Sequence, residues 1–309
     1  MLVKTLFVGS NYEALETLKT LNNHESFDLV GVITQPDKPV GRKQEIVETD
    51  INRYCVKNNL KVFYTNNDIE KYKEALEIFK PELIVCKSFG EIIPEFFLHS
   101  PKYGAINIHF SLLPKYRGAV PIQMALLNGD EETGISIIKM EGDLDSGEII
   151  GQFKEKILQK DTNFSLRKRL VEKTTIELPN ILLKWVSGEI DSKKQNEDEV
   201  TYCWKKDISK ENARIDWEKH SAKEIDRMVR AFIPWPIAWT MINGKRVKIF
   251  EVNITNNLGL QPKEFLQKEG SLFVGTAEGT IEILELQMEG KKQMSIKTFL
   301  QGFKVASIQ

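Results

Sequence analysis

Cysteine is scarce in this 309-residue chain, and none is paired in sequence. Cys55, Cys86 and Cys203 are scattered and odd in number. That excludes a disulfide framework and a Cys-x-x-Cys zinc site, and it fits a reducing compartment. Histidine is equally sparse: His24, His99, His109 and His220 are dispersed, so no metal is expected. No apolar run approaches the roughly 20 residues that span a bilayer. The opening stretch MLVKTLFVGS turns polar too soon for a signal peptide. A cytoplasmic protein without a membrane segment is expected, with a monomer as the default state.

Glycine does not cluster where a nucleotide fold would need it. The first strand–helix turn, VGSNYEA, carries one glycine and no Gly-x-Gly-x-x-Gly, which argues against NAD or FAD. There is no Gly-x-Ser-x-Gly either, so a serine nucleophile has no support. Net charge is −1, so any basic surface must come from local clustering.

What is present is an alternation of two periods. VKTLFVG, FDLVGVIT, KVFY and ELIVCKS read as strands. SNYEALETLKTL, capped by Ser10 or Asn11, DINRYCVKNNL and DIEKYKEALEIFK read as helices between them. This is the pattern of βαβ units around a mostly parallel, Rossmann-like α/β sheet. A strand from Ala105, a helix near Pro121–Leu127 and strands in TGISIIKM and GEIIGQFKEKI follow. A long helix comes next, with Leu166, Leu170, Thr174, Leu178, Ile181 and Trp185 near one face, which Pro179 should bend or interrupt.

SGEIDSKKQNEDEVTY reads as a linker. Beyond it come one or two short helices and then short β-like pieces separated by turn signals such as Asn243-Gly244, suggesting a small barrel or sandwich. The expected division is 1–188, linker 189–207, and 208–309.

Ligands of an open parallel sheet bind beyond the carboxyl ends of its strands. In INIHFSLLP, Asn107 and His109 are two apart on a strand and share a face at its exit. Alone, such a pair reads equally well as a core histidine beside an Asn turn. MEGDLDSGEII adds Asp143 and Asp145. Its spacing fails as a calcium loop, because the twelfth position from Asp143 is Lys154. An Asn, a His and a carboxylate suit acyl transfer to an amine: donors for an oxyanion, and groups that carry protons near neutral pH.

The stretch INIHFSLLPKYRGAVPIQMALLNGDEETGISIIKMEGDLDSGEII resembles the signature region of the folate-dependent formyltransferase family. Asn-x-His, Ser-Leu-Leu-Pro, Tyr-Arg-Gly and Leu-Asp-Ser-Gly occur in the family's order. TQPDKPVGRK, the ARIDW-to-KIFEV segment and TIEILELQMEGKKQMSIKTFLQG resemble the branch whose acceptor is methionyl-initiator-tRNA. The resemblance implies a Rossmann-like domain that takes the formyl group of 10-formyltetrahydrofolate, and a C-terminal OB-like barrel that helps hold tRNA.

Carried over by position, Asn107, His109 and Asp145 match the catalytic trio. Ser111, Leu112, Leu113 and Pro114 match folate-contacting positions, as do Phe89, Gly90, Ile92, Ile93, Pro94, Gly142 and Leu144. Arg42 matches a basic position that enters the tRNA acceptor arm. Lys43, Lys245, Arg246, Lys248, Lys291 and Lys292 are further candidates for phosphate contacts. Trp235, between two prolines, reads as a hydrophobic anchor in preference to a stacking surface.

The chain departs from the family at three places. Phe110 follows the His where Gly or Ala is usual, the first turn reads VGSN, and the loop after Arg42 reads KQEIVETD with three acids. Alternation points Phe110 away from the site. Two other functions fit the same residues: formyl transfer to an amine on a nucleotide-linked sugar, and tRNA binding by a decayed enzyme.

Overall fold

The computed structural model describes residues 2–40 and 45–309. In chain order the elements are β1 (Val3–Gly9), α1 (Tyr12–Asn22), β2 (Phe27–Ile33), β3 (Lys38–Val40), β4 (Glu45–Val47), α2 (Asp50–Lys57), β5 (Val62–Phe63), α3 (Ile69–Phe79), β6 (Leu83–Lys87), α4 (Glu95–His99), β7 (Ala105–His109), β8 (Arg117–Gly118), α5 (Pro121–Asn128), β9 (Glu132–Lys139), β10 (Ile149–Lys156) and α6 (Asn163–Ser187). There follow β11 (Tyr202–Cys203), α7 (Ala222–Ala231), β12 (Trp239–Ile242), β13 (Lys245–Thr255), β14 (Phe265–Lys268), β15 (Ser271–Gly275), β16 (Thr280–Met288), β17 (Met294–Ser295) and α8 (Ile296–Gly302).

The chain divides into two compact units. One comprises Met1–Arg117, Gly134–Glu155 and Arg169–Thr201; the other comprises Gly118–Thr133, Lys156–Lys168 and Tyr202–Gln309. The first is built on a seven-stranded sheet in the order β10-β9-β7-β6-β1-β2-β5. From β7 to β5 all neighbours are parallel, and β9 joins β7 antiparallel. β6 is buried along its whole length, as expected of a strand covered on both faces. The chain runs outward from β1 to β2 and β5, then returns to β6 on the other side of β1. The strand order therefore reverses between β1 and β6, where ligands of such sheets bind.

Gly9 closes β1 there, and it is the residue the backbone requires. A Cβ at this position would lie 2.6 Å from the Lys87 carbonyl oxygen and 2.6 Å from Ala14 Cβ. Asn11 caps α1, accepting from Ala14 N at 3.0 Å.

Helix α6 runs unbroken through Pro179. An interior proline costs about 3 kcal/mol. Complete burial of Leu178 and Leu182, about 1.5–3 kcal/mol each, offsets it. Leu182 takes the core position expected of Ile181, which is only partly buried.

The second unit holds a six-stranded antiparallel sheet, β12-β13-β16-β15-β14 with β17 on β16. Asn243 and Gly244 turn β12 into β13 with φ of 49° and 70°, the left-handed pair a two-residue hairpin requires. Register shifts around Glu251 bend β13. Its inward residues Val247, Ile249 and Val252 pack with Leu272, Val274, Ile281 and Ile283 as one buried layer. Trp235 leaves half of its surface exposed, more than an anchor would. Among the described residues, no helix is long and apolar enough to cross a membrane.

Candidate active site

The end of β7 and the loop after β9 bring three polar side chains together. Asn107 Nδ2 donates to Asp145 Oδ1 at 3.2 Å. His109 Nδ1 lies 3.4 Å from Asp145 Oδ2, and both side chains are nearly buried. The carboxylate thus bridges the two residues that alternation had placed on one face. His109 Nε2 is 2.8 Å from the Tyr116 carbonyl oxygen. A carbonyl only accepts, so Nε2 carries the proton, and in the neutral ring Nδ1 is the basic nitrogen. Burial lowers the His109 pKa below its ordinary 6.5, against the raising effects of Asp145 and the Tyr116 carbonyl; Lys87 lowers it further. The ring is therefore neutral at pH 7, with its lone pair facing a carboxylate that would stabilise the imidazolium. That is the arrangement of a general base.

Three non-glycine residues around the site hold left-handed backbone: Ser88 (φ 52°), Tyr116 (φ 60°) and Asp145 (φ 51°). Such geometry costs about 1 kcal/mol or more each. It persists here because hydrogen bonds fix it. Gln195 Nε2 donates to the carbonyl oxygens of Asp145 (2.7 Å) and Gly147 (2.8 Å). Arg117, 2% exposed, holds the other end of that amide through Nε to Gln195 Oε1 at 3.0 Å, and forks onto both carboxylate oxygens of Glu197. Its hydrogen bond holds the Glu197 carboxyl below the usual carboxylate range.

Sequence reasoning missed Gln195, which lies in a stretch that reads as linker. Replacing Gln195 by Ala leaves two carbonyls of the carboxylate loop without this donor. The expected result is a fall in kcat of about ten- to a hundredfold from misplacement of Asp145, with little change in folate KM. Steady-state kinetics checks it.

The expected folate-contacting residues fall into two groups. Ile92 is 90% exposed and Leu144 49%, large apolar side chains standing in water at the carboxyl edge of the sheet. Gly90 and Gly142 are also exposed, and Phe89, Ile93 and Pro94 are partly so. Their loop is pinned by Glu91, which accepts from Thr65 Oγ1, Asn67 N and Tyr72 Oη through Oε2 and from Gln35 Nε2 through Oε1. A planar ring would find apolar contact here.

Ser111 and Leu113, by contrast, are buried. Ser111 Oγ donates to the Lys115 carbonyl. Ser136 and Gln152, neither legible as site residues, hold the loop from beneath through the Ser111 and Leu113 carbonyls. Leu112 and Pro114 are the partly open members.

Of the basic candidates, Arg42 and Lys43 lie outside the described residues. In the second unit, Arg246 and Lys248 share one face of β13 with Trp239, which pairs with Lys248. The Arg246 guanidinium lies 3.9 Å over the Trp239 ring, a cation–π contact. The exposed turn carrying Lys291 and Lys292 sits beside Arg246, where Glu289 N donates to the Arg246 carbonyl. Lys245 projects from the opposite face, 5.9 Å over the Phe303 ring.

A family model described as formyl transferase matches residues 3–182, and one described as formyl transferase, C-terminal domain, matches residues 207–304. The chain belongs to the formyl transferase family. It is a formyl-transferring enzyme. This formyltransferase is 35% identical over 308 residues to the methionyl-tRNA formyltransferase of Bacillus thuringiensis subsp. konkukian (strain 97-27), covering 98% of this chain and 96% of that protein. The Bacillus anthracis methionyl-tRNA formyltransferase gives the same figures.

Among solved structures, the N-formyltransferase from Helicobacter canadensis in complex with folinic acid and dTDP-3-aminofucose superposes with a TM-score of 0.69. It is 23% identical, covering 93% of this chain and 100% of that one. HypX from Aquifex aeolicus in complex with tetrahydrofolic acid gives 0.64 at 18% identity, covering 100% of this chain and 51% of that one. At these identities the structural likeness concerns the fold.

Proposed function

We propose that this formyltransferase moves the formyl group of 10-formyltetrahydrofolate to the α-amino group of methionyl-initiator-tRNA. The observation that carries the chemistry is the Asp145 carboxylate bridging Asn107 Nδ2 and His109 Nδ1. The acceptor is inferred from the likeness to methionyl-tRNA formyltransferases across 98% of the chain.

An α-amino group has a pKa of about 8, so a useful neutral fraction exists at pH 7. As its nitrogen bonds to the formyl carbon, the carbonyl oxygen gains negative charge and the nitrogen positive charge. Asn107 Nδ2 has a second hydrogen besides the one given to Asp145, and donates it to that oxygen. His109 Nδ1 accepts the proton from the attacking nitrogen, with Asp145 stabilising the imidazolium. The same proton returns to the folate nitrogen as its bond to carbon breaks. Phe89, Ile92, Ile93, Pro94, Leu112 and Leu144 would hold the donor, which supplies the activated formyl group.

The inferred domains are a catalytic domain over 1–188, a linker over 189–207 and an OB-like barrel over 208–309. The chain is read as a cytoplasmic monomer.

Arg246 and Lys248, with Lys291, Lys292, Arg42 and Lys43, would meet tRNA phosphates. Replacing both Arg246 and Lys248 by Ala should weaken methionyl-tRNA binding and reduce the slope of log affinity against log salt by about 1 to 2. Affinity for folate should not change. Filter binding across a salt series measures both. The function itself is tested by incubating the purified protein with 10-formyltetrahydrofolate and methionyl-initiator-tRNA and recovering formylmethionine from the tRNA. Its absence would refute the proposal.

A further inference from the structure

Lys87 is the last residue of β6, at the point where the strand order reverses. It pairs with Gly9 of β1, and its neighbour Cys86 pairs with Asn107 of β7. Alternation puts Cys86 on the same side of the sheet as Asn107 and His109, and Lys87 on the other side. The Lys87 side chain is 4% exposed, and its ammonium reaches the strand that presents Asn107 and His109. Nζ donates to the Ile108 carbonyl at 3.0 Å, between Asn107 and His109. It lies 3.2 Å from Glu13 Oε2 of α1, which also accepts from Ser88 Oγ at 3.0 Å. It sits 3.2 Å from the centroid of the Phe110 ring. The aromatic residue that follows His109 is therefore buried on the far face, and its π-face receives a cation.

Burying an ammonium is expensive, and apolar side chains commonly fill such a site at no loss of stability. The ammonium is held here by a carboxylate, a carbonyl and an aromatic face at once. Its nearest consequence is electrostatic. The titratable groups around it are Glu13 from α1, His109 on β7, Asp145 from the loop after β9, and Cys86 beside it. In this dry setting a positive charge disfavours a second one on the His109 ring.

We propose that Lys87 is a positioning residue for formyl transfer: with Glu13 and Phe110 it forms a buried cationic prop that fixes the end of β7 and adds to the burial that holds His109 in its uncharged, proton-accepting form. This rests on the reading of Asn107, His109 and Asp145 as the reacting trio. Burial is the main influence against the imidazolium, Asp145 and the Tyr116 carbonyl favour it, and Lys87 adds a smaller opposition, so proton transfer to Nδ1 is available without being completed in the resting enzyme. Burial pulls the Lys87 ammonium itself down to about 7, against the raising influence of Asp145 and Cys86. The prop therefore loses its charge progressively as the pH rises through the neutral range.

The test uses the full-length protein and two readouts, the pH profile of kcat/KM for formyl transfer and an NMR titration of the His109 imidazole, which needs no turnover. Lys87→Met should lower kcat about tenfold or more while both KM values stay within about twofold. The acid limb of the profile and the His109 titration should both move to higher pH. Because Lys87→Met removes the cation that faces the buried Glu13 carboxylate, the double variant Glu13→Gln/Lys87→Met separates folding from function. It should melt as the wild type does, yet retain the lower kcat and the raised His109 titration. Phe110→Leu, which keeps the charge and removes the ring, should move the titration the same way by less.

A double variant with wild-type kcat and an unmoved His109 titration would overturn the proposal and leave Lys87 as a partner for Glu13 alone. An unmoved titration in Phe110→Leu together with Lys87→Met would do the same. If the wild type itself transferred no formyl group, the reading of the trio would fail instead. The His109 titration would still report whether Lys87 controls the ring.

Discussion

Asp145→Asn is expected to lower kcat by about 10³-fold or more, with a melting temperature close to that of the wild type. Asn is nearly the same shape as Asp. It tolerates the left-handed backbone (φ 51°) at this position. Its side-chain oxygen can still accept from Asn107 Nδ2, now 3.2 Å away. What changes is the group facing His109 Nδ1 at 3.4 Å. An amide turned that way donates a hydrogen to Nδ1 and occupies the lone pair that must take the amine proton. No negative charge remains to stabilise the imidazolium. Single-turnover formylation with saturating substrates isolates this step. A rate within threefold of wild type would show that Asp145 takes no part in proton transfer.

Asn107→Ala is expected to cost about 10²- to 10³-fold in kcat, the loss typical of one oxyanion donor, or about 3–4 kcal/mol in the barrier. KM for both substrates should change little, because the hydrogen bond at issue strengthens only as charge develops on the oxygen. Asn107 is only partly buried, the one residue of β7 that is, so its truncation opens no fully enclosed core cavity. Equal losses in kcat and kcat/KM would match this role. A raised KM with unaltered kcat would instead make Asn107 a ground-state binding group.

The sheet was legible because its strands are uniform. LIVCK is buried at every position, and no helix period fits a run of that length. Asn107 and His109 were legible because strand alternation is rigid, and Asp145 because a glycine-flanked acidic loop followed the next strand. Gln195 was not, since a glutamine in a polar stretch carries no sign that its amide will reach two carbonyls of another loop. Lys87 was hidden for the opposite reason. A lysine ending an apolar strand reads as the place where the strand meets water, and its burial depends on Glu13, 74 positions away, and on Phe110. Ser111 and Leu113 show the limit of transfer by position: they stand in the right loop, but the structure spends them on its shape.

The second unit follows the same division. Asn243-Gly244 announced a hairpin through backbone geometry alone. The face shared by Trp239, Arg246 and Lys248 emerges only from the β12–β13 register, which pairs Trp239 with Lys248 and Met241 with Arg246.

A competition assay decides whether the formyl-transfer site serves a tRNA acceptor. The purified protein is given labelled 10-formyltetrahydrofolate, with methionyl-initiator-tRNA and a nucleotide-linked amino sugar together in one tube. Label is expected in the methionyl-tRNA, with the amino sugar remaining unformylated. Label in the sugar with none in the tRNA, or tRNA binding without transfer to either, would contradict it.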